Sequence, residues 1–196
     1  MIEVEVIETA AAATAALDPI RSRLLAELTQ PASAAILASR VGLARQKVNY
    51  HLRALEDHGL VEAAELRQWG GLTERLMVAT ASSYVVSPAA LGAIGADPAR
   101  NGDRLSASYL IAQAARIVRE VGDLWRNARK KDKRFATLSL DTVIRFRSPA
   151  ERMAFTADLT SAVTALAARY HDEFAPGGRP HRLVVAAYPA PRDAPT

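Results

Sequence analysis

Residues 42–55, GLARQKVNYHLRAL, place Arg45, Gln46, Lys47, Asn49, Tyr50 and Arg53 within nine positions and contain no carboxylate. Guanidinium and carboxamide groups can bond two atoms of a base edge at once. Cationic groups meet phosphate, and a carboxylate there would repel it. Val48, Leu52 and Leu55 recur at i, i+4 and i+7, which lines one face of a helix and leaves the polar set on the other. The three positive charges of this stretch compare with a formal net charge of +4 for the whole chain of 196 residues. An amphipathic helix with a merely solvated charged face would share this composition, so the neighbouring elements must decide between the two.

Those neighbours form a recognisable frame. Residues 36–60 read as two short helices with a tight turn at Gly42. Gly59 stands just past the second, where a left-handed C-cap is cheap for glycine. The period then changes. Residues 61–67 and 73–79 are strand-like runs around Gln68-Trp69-Gly70-Gly71-Leu72, a glycine-rich connection suited to a β-hairpin. Upstream, Asp18 is a cap with Pro19 at the first helical position, and Ile20, Leu24, Leu25 and Leu28 form the stripe of an earlier helix. Helix, helix, turn, helix and hairpin over residues 17–80 make a winged helix-turn-helix, whose second turn-flanking helix is built to enter a DNA groove.

The segments LDPIRSRLLAEL, ILASRVGLARQKVNYHLRALEDHGLV and LTERLMVATASSYVVSP resemble the arsenical-resistance-repressor (ArsR) family of bacterial winged-helix regulators over residues 15–88. The pattern is carried by Val48, Tyr50, His51, Leu52, Leu55, Gly59, Leu60 and Val61. The resemblance implies a homodimeric repressor on a palindromic operator. By it, Arg45, Gln46, Asn49 and Tyr50 face the groove, Arg53 meets a phosphate, and Arg67 and Arg75 meet the DNA backbone beside the wing, with Lys47 counted in the same DNA-binding set. Ala44 departs from the family, many members of which cap the recognition helix there with Ser or Thr.

Composition bounds the rest. Hydrophobic residues are 49% and charged residues 23% of the chain, which is ordinary for a globular protein. No apolar run approaches a membrane span and no signal peptide opens the sequence, so a cytoplasmic location is expected. Cysteine is absent, which removes thiolate sensing of soft metals. His51, His58, His171 and His181 form no i, i+3 or i, i+4 ligand pair, and the one metal arrangement left open is a zinc or hard-metal site shared across a dimer. No cofactor is expected.

The second half reads as a separate α/β unit. An Ala-, Gly- and Pro-rich linker spans 87–102. A long helix is expected from 103 to 128, with Leu105, Tyr109, Ala112, Ile117, Val121, Leu124 and Trp125 on its apolar side; it either covers its own sheet or pairs two subunits. A basic run follows at 126–134, with six basic residues and one acid, and suits either auxiliary phosphate contacts or a solvated helix end. Residues 137–146 alternate, with Leu138, Leu140, Thr142, Ile144 and Phe146 on one face, as in a half-buried strand. Ser148-Pro149-Ala150-Glu151 is a capping-box start for a helix bearing Phe155, Leu159, Val163, Leu166 and Tyr170. Residues 182–188 read as a second strand, and 189–196 as a disordered tail.

The expected fold is therefore α+β. A strand-like arm at 1–14 and a winged helix-turn-helix at 15–86 precede the linker and a small helix-strand-helix-strand domain at 103–188 for dimerisation or effector binding. Either the arm completes the C-terminal sheet, in its own or the partner subunit, or the partner's matching strands complete it; the sequence does not choose between these. Any effector is expected to be an organic molecule or a partner protein; the face of Leu138, Leu140 and Ile144 and the helices bearing Tyr109, Trp125 and Phe155 form either a fully packed core with no cavity, the favoured reading, or the pocket that holds it. Two other classes compete. A winged helix can serve only protein interaction, but that role does not require the Arg45/Gln46/Asn49 arrangement. An enzyme on the second half could use Asp141, His171, Asp172 and Glu173, but no nucleophile elbow or phosphate loop accompanies them.

Overall fold

A computed structural model describes residues 1–69 and 72–191, leaving aside the side chains of Arg67, Trp69, Leu72 and Thr73. The chain divides into two units, Met1–Phe135 and Ala136–Thr196. The fold is mixed α and β with an N-terminal helix-turn-helix.

The first unit opens with strand β1 (Ile2–Ile7), then helices α1 (Ala10–Leu17) and α2 (Pro19–Glu27). Asp18 ends α1 and caps α2, its carboxylate accepting from the amides of Ile20 and Arg21 at 3.0 Å each. Proline at the first turn loses no bond, because that amide has no intrahelical partner. The alanine-rich α1 was outside the sequence expectation: a run of near-identical small residues has no apolar stripe to read. A two-residue strand β2 (Ala32–Ser33) leads into α3 (Ala34–Val41), capped by the Ser33 hydroxyl at 3.3 Å from the Ile36 amide.

Gly42 sits at φ 68°, in the left-handed region that ends α3 and turns the chain into α4 (Arg45–Asp57). Gly59, at φ 67°, does the same after α4. Strands β3 (Val61–Trp69) and β4 (Leu72–Ala79) then pair antiparallel from Val61↔Ala79 to Trp69↔Leu72, with a bulge between Ala63 and Glu65. The Gly70-Gly71 turn of the expected hairpin lies outside the described residues. β2 adds to the far side of β4, giving the order β2-β4-β3. Leu24, Leu28, Leu37, Val48, Leu55 and Val61 are fully buried between the helices and this sheet, and each contributes about 1.5–3 kcal/mol by leaving water.

Strand β5 (Ala81–Val86) pairs in parallel with β1, from Ile2↔Ala81 to Ile7↔Val86. This corrects the reading in which the N-terminal arm completes a C-terminal sheet: its partner is the strand after the wing, in its own chain. The segment read as a linker is likewise structured. Pro88–Ile94 and Pro98–Arg100 form short 3-10 helices, opened by Ser87 and Asp97 caps. Helix α5 (Ala107–Lys130) follows and packs against both of them and against β1. Gly122 lies so close to β1 that a Cβ there would stand 3.0 Å from Val6. Arg129 pairs with Glu5 at 3.2 Å, and Arg126 pairs with Glu8 and, at 3.1 Å, with Asp123. Two cations of the basic run thus hold β1 rather than standing free for phosphate.

In the second unit, helix α6 (Pro149–Tyr170) begins where the cap signal placed it. The Ser148 hydroxyl accepts from the Glu151 amide at 3.1 Å. The Glu151 carboxylate reaches back to the amide of Arg147 at 2.6 Å, one residue before the position a capping box uses. The expected strands at 137–146 and 182–188 are not formed, since neither segment joins a ladder among the described residues. A strand exists only when its amides and carbonyls find a neighbouring edge, and alternation supplies the faces but no edge. Leu138 and Leu140, expected to fill a core or wall a pocket from a sheet face, are 81% and 87% exposed. No described residue of 136–191 is buried. Residues 192–196 of the expected tail lie outside the described residues. No helix among the described residues is long and apolar enough to cross a membrane.

Candidate nucleic-acid interface

Helix α4 rests on the core through Val48, Leu52 and Leu55, joined by His51, which is 7% exposed. At about 100° per residue, Arg45, Gln46, Asn49, Tyr50 and Arg53 fall within an arc of about 140° on the opposite side, with Lys47 at its margin. Arg45, Gln46, Lys47, Tyr50 and Arg53 are exposed, and Asn49 is half-buried. Tyr50 shows 67% of its surface. Among the described residues, Arg45, Gln46, Lys47 and Arg53 make no side-chain hydrogen bond or ion pair with the rest of the chain. Their donors are therefore available without an internal contact having to break first.

His51 takes the packing role that its place in the sequence pattern suggests. Both of its ring nitrogens are buried without a hydrogen-bond partner among the described residues, and its ring meets Tyr50 edge to face at 5.3 Å. It packs beneath the polar face of α4, against Tyr50.

The start of α4 carries no cap. Ala44 has the extended backbone an N-cap needs, φ −63° and ψ 138°, and its carbonyl accepts from Val48 at 3.1 Å, yet no side chain receives the first-turn amides. Open helical amides at the positive end of the dipole favour anions. The three free cations Arg45, Lys47 and Arg53 lie on the same helix.

The wing residues separate. Arg75, on β4, makes a two-pronged pair with Glu56 near the end of α4, at 2.7 and 3.3 Å. The pair ties the recognition helix to the wing. Glu56 was not singled out from sequence, because 19 positions separate the partners and no local pattern links them. Arg67 belongs to β3, opposite Glu74, while its side chain lies outside the described residues. Tyr84 closes the base of the frame, its hydroxyl donating to the Leu60 carbonyl at 2.8 Å and accepting from the Ala81 amide at 3.2 Å. Among the described residues no group of three His, Asp or Glu side chains is gathered to hold a metal.

A sequence model of the helix-turn-helix domain matches residues 16–63, the stretch from the end of α1 to the start of β3. No curated protein matches the chain. Among solved structures, HlyU from Vibrio cholerae N16961 is similar at 22% identity and a TM-score of 0.31, covering 37% of this chain and 74% of that one. A transcriptional regulator HlyU from Vibrio vulnificus CMCP6 is similar at 20% identity and a TM-score of 0.30, covering 37% and 71%. With α3, the Gly42 turn and α4 set between helix α2 and a three-stranded wing, the chain carries a helix-turn-helix domain of the kind found in DNA-binding transcriptional regulators.

Proposed function

We propose that the protein is a sequence-specific transcriptional regulator of the ArsR type, a repressor that binds a palindromic operator as a homodimer. The observation that carries this reading is the unencumbered face of α4. Arg45, Gln46 and Asn49 are placed to read base edges, with Tyr50 beside them, and Lys47 and Arg53 to meet phosphate. Support for a dimer comes from α5, whose outer side leaves Ile111 65%, Leu124 53%, Val121 41% and Trp125 40% exposed. Ile111, Ala114, Val118, Val121, Trp125 and Ala128 follow the alternating three- and four-residue spacing of a helix-pairing seam. A two-fold dimer reads matched half-sites about one helical turn apart or a small multiple of it. Because the chain has no thiolate, release from DNA is assigned to an organic molecule or partner protein rather than a soft metal ion.

Footprinting on genomic DNA followed by titration of Gln46→Ala, Asn49→Ala and Arg53→Ala tests the assignment. Loss of Gln46 or Asn49 is expected to cost about 1–3 kcal/mol on the operator and little on unrelated DNA. Arg53→Ala should weaken all sequences alike and reduce the salt dependence by about one phosphate contact. Unchanged sequence preference in both amide variants would remove the groove assignment. A reporter gene whose expression falls without the protein would reverse the assigned sign of regulation.

A further inference from the structure

The second unit is incomplete as a single chain. It has no buried described residue and only a few half-buried ones, among them Phe146, Phe155, Leu159 and Val163, so little apolar burial offsets the roughly 1–2 kcal/mol of backbone entropy that each ordered residue costs. Leu138, Leu140, Val143, Tyr170, Phe174 and Tyr188 are 72–87% exposed. Together they present on the order of 800 Å² per copy, the area that each partner contributes to a stable protein interface. Phe146 meets Phe155 of α6, 5.3 Å between ring centres, and Leu138, Leu140, Thr142 and Ile144 share its place in the alternation. The odd-numbered face carries Ser139, Asp141, Val143 and Arg145. This is a strand's alternation with no strand beside it.

We infer that a second copy of the chain supplies the missing edge: residues 138–148 pair antiparallel with the same residues of the partner, about a two-fold axis at Val143. The inference rests on the homodimer reading above and gives it a second, separate contact. Two-fold pairing restricts the register. Opposed residues must share a face, so registers that set Leu140 or Ile144 against Asp141 or Arg145 are excluded. An axis at Asp141 or at Arg145 would oppose like charges, and an axis at Thr142 would leave Asp141 facing Val143. An axis at Val143 sets Asp141 against Arg145 twice, once on each side. It also puts Leu140 opposite Phe146 and Thr142 opposite Ile144 on the even-numbered face. Opposite charges across a strand pair stabilise it and like charges oppose it; an axis at Ile144 also sets Asp141 against Arg147 but leaves Arg145 facing Val143 and Thr142 facing Phe146, so the axis at Val143 matches both faces best. The shared sheet brings both copies of α6 to one face, where the apolar side chains of the two chains cover each other.

The absence of cysteine makes the test clean. Single cysteines are placed in the full-length protein by Asp141→Cys, Thr142→Cys, Val143→Cys, Ile144→Cys and Arg145→Cys, and disulfide-linked dimer is followed under mild oxidation. Val143→Cys is expected to cross-link at least tenfold faster than Asp141→Cys or Arg145→Cys, whose own copies would lie about 13 Å apart along the strands. Mixing Asp141→Cys with Arg145→Cys protein should restore linkage, because those positions face each other. Asp141→Arg should weaken the C-terminal contact about tenfold, and Asp141→Arg with Arg145→Asp should recover it. A maximum at another residue overturns the register; equal or absent linkage at every position overturns the pairing. Light scattering and operator binding on the same samples separate the two claims. A dimer that binds operator without any position-dependent linkage leaves the regulator reading standing and removes this one, whereas a monomer removes both.

Discussion

Replacing Ala44 by serine should stabilise the first unit, and the structure sets the size of the gain. The backbone at Ala44 already has the extended conformation of an N-cap, and its carbonyl already accepts the first intrahelical bond of α4. A serine hydroxyl therefore needs no backbone rearrangement. Residue 44 is exposed, so the added oxygen meets no packed neighbour. Equivalent caps are in place at α1, α2, α3, α5 and α6, donated to Thr9, Asp18, Ser33, Ser106 and Ser148. Exchanging alanine for serine at such a site is worth about 1 kcal/mol, within a range of about 0.5–2. For a cooperative unit of this size that is a rise in Tm of about 3–5 °C, or about 0.3–1 M in the urea midpoint at unchanged slope. Thermal and urea unfolding of Ala44→Ser beside Ala44→Val, which cannot cap, measure it. A serine variant no more stable than wild type, or one matched by valine, would refute the claim that the first turn of the reading helix is under-capped.

Three further outcomes follow from contacts in the first unit. Asp18→Ala should cost about 0.5–2 kcal/mol through loss of the α2 cap, measured by urea unfolding. The Arg21 amide donating to the Asp18 carboxylate holds that group below its ordinary value of 3.8. A lowered folded-state pKa stabilises the fold above the unfolded value and is lost as pH falls through the folded one, so the difference between wild type and Asp18→Ala should be full above about pH 5 and should shrink as acid is added. Arg75→Ala, which removes an exposed pair with Glu56, should change stability by less than about 1 kcal/mol; a larger drop in operator affinity than in stability would show that Arg75 also serves DNA. Gly59→Ala, at φ 67°, should destabilise by about 1 kcal/mol, read as a fall in Tm.

Much of the helix-turn-helix unit was legible because its signals are local. Asp18-Pro19, Gly42 and Gly59 each impose a backbone geometry within one turn, and Val48, Leu52 and Leu55 fix which side of α4 faces the core. The parallel pairing of β1 with β5 was not legible, since about 80 positions separate the partners and Ile2, Val4 and Val6 would suit any sheet edge. The Arg75–Glu56 pair escaped for the same reason. In the second half, the Ser148 cap placed α6 correctly. The alternation at 137–146 describes two faces of a strand but is silent on its neighbour, and no described segment of the same chain supplies that edge. The composition of 87–102, poor in large side chains, looked like a tether because 3-10 turns are built from backbone and short caps, with little apolar periodicity to announce them.

The clasp of β1 between β5 and α5 also sets an order of events in synthesis. Ile2–Ile7 leave the ribosome ahead of residues 81–86 and have no edge to pair with until those have been made. At about 5–20 residues per second, that is a delay of about 4–16 s. The salt links from Arg126 and Arg129 arrive later still. Throughout that interval an apolar strand stands unpaired, the state most open to edge-to-edge association. Glu3, Glu5 and Glu8 occupy the positions between and after its apolar residues, so the carboxylates of Glu5 and Glu8, which anchor the finished strand, repel other nascent copies of it beforehand together with Glu3.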